Sequence, residues 1–156
     1  MTVLYPYVGP ADLLAAVAPG SLGFAVEAGE VLGELECAEP FTFVVDAEGI
    51  LRLAPRRSEH VACAGGRSVL SAGEMSFVRD AHGRWSVSEV TNQSTGYCPD
   101  ASSWPAVAAA LERAGIGHPG GFTHEFVFRW CPECAELNVV RERVFVCALC
   151  DAELEP

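Results

Sequence analysis

The sequence contains no lysine. All ten basic side chains are arginine, set against 21 aspartates and glutamates, for a net charge of −11. The deficit is local: residues 1–51 carry eight acids and no basic side chain, and the last 26 residues carry six acids against Arg141 and Arg143. Nucleic-acid binding draws most of its affinity from Lys and Arg neutralising phosphates, so this balance argues against it. Also missing is any apolar run near the roughly 20 residues needed to span a bilayer. No basic n-region with an apolar h-region opens the chain, so the expected setting is the cytoplasm. GxGxxG, P-loop, HExxH and GxSxG signatures are absent. The acidic series Glu27, Glu30, Glu34 and Glu36 has no Asp-x-Asp calcium-loop pattern, and a solvated face accounts for it.

What is present is cysteine. Four of the seven form two knuckles, Cys131-Pro-Glu-Cys134 and Cys147-Ala-Leu-Cys150, separated by twelve residues. Each CxxC places two thiolates within reach of one ion, and a hairpin between them brings the pairs together. The spacing predicts that hairpin from residues 137–140, a turn at Arg141 to Arg143, and residues 144–146. The expected cofactor is a structural Zn²⁺ held by Cys131, Cys134, Cys147 and Cys150, because four thiolates leave no open coordination position. A rubredoxin-like iron site shares the knuckles. In a cytoplasmic protein, cysteines are better used on a metal than in disulfides.

At 156 residues, half of them apolar, the chain is long enough for one core and a small appendage. The expected fold class is α+β and mainly β: an antiparallel sheet with one or two short helices, extended by a C-terminal zinc ribbon. Residues 1–128 would be the β-rich body and 129–156 the ribbon packed on it. A short helix is expected at 10–18, a strand at 22–26 and its return at 31–36. Hairpins are expected next at 41–53, turning through Asp46 and Gly49, and at 74–90, turning through Asp80 and Gly83. A loop at 91–103 ends in a Ser103 cap, and Pro105 opens the clearest helix, 104–114, with Trp104, Val107, Ala108 and Leu111 as its apolar stripe. Residues 115–121 form a glycine-rich connector, and 122–130 alternate as a strand entering the first knuckle.

The middle of the chain carries a second pattern. His60 is followed, at fixed spacing, by Gly66, Val69 and the Ala72-Gly73-Glu74 end; Asn92, Ser94, Tyr97 and Pro99 then form an Asn-x-Ser-x-x-Tyr-x-Pro box. This resembles a segment of bacterial effector and toxin-associated proteins and of plant IQ-motif calmodulin-binding proteins, over residues 41–116. The chain is also similar to uncharacterised bacterial proteins that end in a zinc ribbon. The resemblance implies a place in an effector, toxin–immunity or other conflict system. Thr95-Gly96 stands where the family has Gly-His, and the IQ helix is absent, so calmodulin binding is not implied.

Two functions are expected from these residues. One is a zinc-stabilised interaction protein whose acidic N-terminal third meets a protein partner, a basic one by charge. The other is a small enzyme with Cys98 as nucleophile, His60 as its base and Asn92 as orienter beside Tyr97. Against the second, Asn92, Ser94 and Tyr97 read equally as loop-fixing hydrogen-bonders and Cys98 as a small apolar filler. His118 and His124 lie near the knuckles, but four cysteines already complete a site. Cys37 and Cys63 read as buried thiols.

Overall fold

The structure is a computed structural model and describes residues 3–156. Its chain order is α1 (Ala11–Ala15), β1 (Phe24–Val26), β2 (Phe41–Asp46), β3 (Leu51–Ala54), α2 (His60–Cys63), β4 (Val69–Arg79), β5 (Trp85–Val90), α3 (Trp104–Arg113), β6 (Val127–Trp130) and β7 (Leu137–Val140), with 3₁₀ turns at Gly29–Glu34 and Ala101–Ser103. Strands β1 to β5 form one antiparallel sheet in the order β1-β3-β2-β4-β5, and β6 and β7 form a separate pair. The expected mainly-β, antiparallel α+β fold with short helices and a C-terminal cysteine cluster is what the chain adopts.

Strand β2 explains the body. All six of its residues are buried, because the sheet is covered on both faces and successive side chains point to opposite sides. Phe41, Phe43 and Val45 enter a core built with Val107, Ala110 and Leu111 of α3 and Leu32 of the first 3₁₀ turn. Val44 enters a second core with Val61 and Cys63 of α2 and Tyr97, against which Tyr7 and Leu13 pack. The β2–β3 turn is fixed by Asp46, whose carboxylate accepts the Glu48 and Ile50 N–H groups at 3.0 and 2.9 Å and meets Arg52 at 2.8 Å.

Helix α3 forms as its sequence demands. Pro105 sits in the first turn, alanines fill the middle, and a left-handed Gly115 ends it while the Ile116 N–H returns to the Leu111 carbonyl at 2.9 Å. Its cap differs from expectation. The Ser103 hydroxyl bonds Ser71 Oγ at 2.8 Å instead, and Asp100 caps the preceding 3₁₀ turn through the Ser102 N–H at 2.9 Å.

Three other expectations are corrected. Residues 31–36 are no return strand: β1 pairs with β3, and the glycine-flanked stretch coils into the Gly29–Glu34 3₁₀ turn, which buries Leu32. The strand expected at 122–130 begins only at Val127, because residues 116–124 first run along β5. There, Gly117 exchanges hydrogen bonds with Val87 and Trp85, and Thr123 bonds Val90. Finally, β7 does not pair with 144–146. It pairs with β6 in the register Val127↔Val140 to Trp130↔Leu137, so a hairpin closes around the first knuckle.

Candidate metal centre

The two knuckles are copies of each other in backbone detail. The Cys131 N–H donates to the Glu136 carbonyl at 2.8 Å and the Ala135 N–H to the Cys131 carbonyl at 2.9 Å. In the second, the Cys147 N–H donates to Ala152 at 2.8 Å and the Asp151 N–H to Cys147 at 2.9 Å. Each loop closes through one left-handed residue, Ala135 at φ 63° and Asp151 at φ 62°. The first loop is carried by the β6–β7 hairpin, the second by a bridge between Val146 and Glu153. Asn138 of β7 joins them: its side-chain oxygen accepts the Ala148 N–H at 2.9 Å, and its amide donates to the Glu136 carbonyl at 3.1 Å. Leu154 and the sulfurs of Cys131 and Cys147 form a small core of their own, with Val140, Phe145 and Ala152 against it.

All four sulfurs lie within 4.8 Å of one another, with Cys131–Cys150 and Cys134–Cys147 both at 3.6 Å. A disulfide needs about 2.05 Å, whereas a tetrahedron with metal–sulfur bonds of about 2.3 Å has edges of about 3.8 Å. The cluster therefore fits one tetrahedral ion. The electrostatics agree. The Cys150 N–H, helped by Asn138 and the Leu149 N–H, pulls the Cys147 thiol down to about 6. Cys150 is pushed up to about 12: the Ala152 N–H lowers it, but the Cys131 and Cys134 sulfurs outweigh that. Four thiolates this close ionise together only around a cation. Neither His118 nor His124 belongs to the cluster; His118 meets Glu112 at 3.1 Å and lies edge-on to Trp104.

No family model, no curated protein and no solved structure matches the chain. The resemblance over 41–116 therefore assigns no residue a role, and the remaining candidates stand on geometry.

That geometry separates them. Asn92 is fully buried; its amide donates to the Pro99 and Phe126 carbonyls, both at 2.9 Å, and its oxygen accepts the Phe126 N–H at 2.7 Å. Tyr97 is buried too, its hydroxyl donating to the Arg67 carbonyl at 2.7 Å and its N–H held by Ser94 Oγ at 3.2 Å. Both fix the loop that precedes α3. Cys98 lies in a groove with Tyr5, Phe128 and Trp130, while His60 lines a different cavity with Glu74 and Ser94. The expected nucleophile and base thus line separate cavities, and among the described residues no hydrogen bond links Cys98 Sγ to His60. Burial pushes the Cys98 thiol up to about 11, which disfavours the thiolate a nucleophile needs. His60 opens α2, where its Nε2 bonds the Gly73 carbonyl at 2.8 Å. Only glycine fits at Gly73, since a Cβ there would run into the Thr91 carbonyl. Cys63 is buried and pushed up to about 12.

Sequence reasoning passed over three residues. Asn138 had a signal, being a lone polar residue in an apolar strand. Arg56 and Arg57, which share the His60 cavity, had one as well: they are the only adjacent basic pair in the chain.

Proposed function

We propose that the protein is a non-catalytic, zinc-stabilised interaction protein of the cytoplasm, in which one Zn²⁺ closes the C-terminal ribbon. The observation that carries this is the all-thiolate tetrahedral cluster: four protein ligands saturate the ion and leave no place for water or substrate. When bound, the ion would supply folding energy rather than chemistry, because its ligands come together only in the folded ribbon. Zinc is preferred to iron as the redox-inert ion for a structural clip. Free thiols at Cys37, Cys63 and Cys98 fit a reducing compartment. Among the described residues no helix is long and apolar enough to cross a membrane.

The acidic N-terminal third is the contact surface in this reading. Glu27, Glu30, Glu34 and Glu36 are clustered around the 3₁₀ turn whose Leu32 is buried, and among the described residues none of the four forms an ion pair. An unneutralised acidic ridge of this kind matches a basic protein partner. Metal analysis of the purified chain tests the first half: one zinc per chain, with loss of protease resistance of the ribbon on strong chelation. A pull-down at low and high salt tests the second. A partner retained equally at both salts, or none at either, counts against the acidic ridge.

A further inference from the structure

A cavity of about 280 Å³ lies between the turn that follows β3 and the loop that follows β5. Every residue lining it is polar or charged, among them Thr42, Arg56, Arg57, His60, Glu74 and Ser94. The space is open to solvent, with Arg56, Arg57, Gln93 and Thr95 exposed, so what it offers a ligand is charge and hydrogen bonds rather than apolar contact.

The arginines give the cavity its chemistry. The Ser58 N–H returns to the Pro55 carbonyl at 3.0 Å, so Arg56 and Arg57 are the two central residues of a tight turn. The second of them has a left-handed backbone, φ 73°, where turn geometry favours glycine or asparagine. An arginine there carries strain of about 1 kcal/mol or more. Among the described residues the Arg57 side chain has no hydrogen bond or ion pair, and Arg56 only approaches Glu39 at 3.8 Å, both groups being exposed. Of the other arginines, Arg52 is engaged with Asp46, Arg79 over Trp85, Arg113 with the Glu48 carbonyl and Arg129 with the Glu155 carbonyl, while Arg67, Arg84, Arg141 and Arg143 are unpaired among the described residues but do not line this cavity. Glu74 faces the same cavity, yet neither arginine pairs with it. Unlike charges thus border one space without neutralising each other. With its Nε2 committed to Gly73, His60 has no second ring hydrogen bond among the described residues.

We propose that this cavity binds a small molecule bearing a carboxylate or phosphate, which Arg56 and Arg57 hold, while Glu74 accepts a hydrogen bond from an N–H or O–H group elsewhere on the same ligand. Guanidinium forks match both oxyanions, and the volume admits a metabolite-sized group rather than a large one.

The test uses the zinc-loaded full chain, titrated at constant ionic strength with inorganic phosphate, with acetate, and with chloride as control. Side-chain Nε–Hε signals of Arg56 and Arg57 are followed by NMR. Saturable shifts with phosphate, acetate or both, and not with chloride, are expected; the arm that responds identifies the oxyanion. Arg57→Gly sharpens the result. It relieves the left-handed backbone, so the melting temperature holds or rises, while affinity falls about tenfold or more with the lost charge-assisted contact. Arg79→Gln, away from the cavity, leaves the titration unchanged. No saturable shift with either anion, or an Arg57→Gly chain that binds as well as the parent, overturns the proposal.

Discussion

Asn92 and Phe126 exchange two hydrogen bonds, side chain to backbone in both directions, at 2.9 and 2.7 Å. A third bond, from the same amide to Pro99, ties the loop before α3 to the segment that enters the ribbon. One buried amide therefore extends, by one residue, the tie that the Thr91–His124 bridge and the Thr123–Val90 bond make between the body and the segment entering the ribbon. Asn92→Ala leaves the Phe126 N–H and two carbonyls without their side-chain partner, the Pro99 carbonyl in a buried position. It should cost about 3 kcal/mol or more, read as a lower denaturant midpoint with unchanged slope. Asn92→Asp, despite its size match, should do no better at neutral pH, since an oxygen would face both carbonyls. A loss under about 1 kcal/mol in either variant would mean that the Asn92 network does not hold the two parts together.

The hydrogen bond between His60 and Gly73 gives a pH prediction. Burial pushes the His60 imidazole below its ordinary value, outweighing the Gly73 carbonyl and the Glu74 and Glu59 carboxylates, which push the other way. The unfolded chain then binds the proton more readily than the folded one. The stability contributed is complete above about pH 6.5 and is lost as pH falls from there through the lowered folded value. Denaturation at stepped pH should show this decline setting in as pH falls below about 6.5, ahead of the main carboxylate range, and His60→Gln should flatten it. An imidazole titration by NMR with a midpoint at or above about 6.5 would refute the burial argument.

Much of this architecture was legible in the sequence, for local reasons. Asp46 and Gly49, or Asp80 and Gly83, between apolar alternations specify hairpins whatever surrounds them, and Pro105 with Gly115 brackets α3. The knuckles were equally plain because cysteine spacing and metal geometry are one constraint. What escaped depends on distant partners. Residues 31–36 read as a return strand for β1, which is the end strand of the sheet, but two glycines weaken that stretch and Leu32 is buried by a 3₁₀ turn instead. Leu137–Val140 has two candidate partners of similar pattern, and the knuckle between β6 and β7 decides for the upstream one. The His60 cavity was legible only in part: His60, Glu74 and Ser94 lie in the pattern of the middle segment, but Thr42 and Arg57 reach the same space from other segments.

Cys98 offers a direct test of the rival enzymatic reading. Its thiol is pushed up to about 11 by burial, and its sulfur donates weakly to the Thr95 carbonyl at 3.4 Å. At neutral pH a raised thiol pKa leaves proportionally less thiolate, while the greater intrinsic nucleophilicity of that thiolate regains about half of the loss on a logarithmic scale. Alkylation at neutral pH should therefore run about ten- to a hundredfold slower than for a free peptide thiol. Mass-spectrometric kinetics on the metal-loaded chain, resolved by peptide, measure this directly. A Cys98 rate well above the free thiol would restore the case for a nucleophile, whereas a rate equal to it would refute the burial argument without doing so.

The last prediction concerns the two residues that close the knuckles. Ala135 and Asp151 occupy equivalent left-handed positions, φ 63° and 62°, and each donates its N–H back to the first cysteine of its loop. That conformation costs a side chain with a Cβ about 1–2 kcal/mol, and it costs aspartate less than alanine because aspartate tolerates the region better. Glycine carries no such strain, although it gives the unfolded chain more freedom to lose. Ala135→Gly should therefore gain about 1 kcal/mol and Asp151→Gly less. Folding of the ribbon is coupled to its ion, so the gain should surface as tighter metal retention, about fivefold for Ala135→Gly, in competition with a chromophoric chelator. The order of the two variants is as informative as their size. Stronger retention for Ala135→Gly than for Asp151→Gly matches backbone relief at two equivalent knuckles; weaker retention than the parent in both would show that the loops do not close in this geometry around the metal.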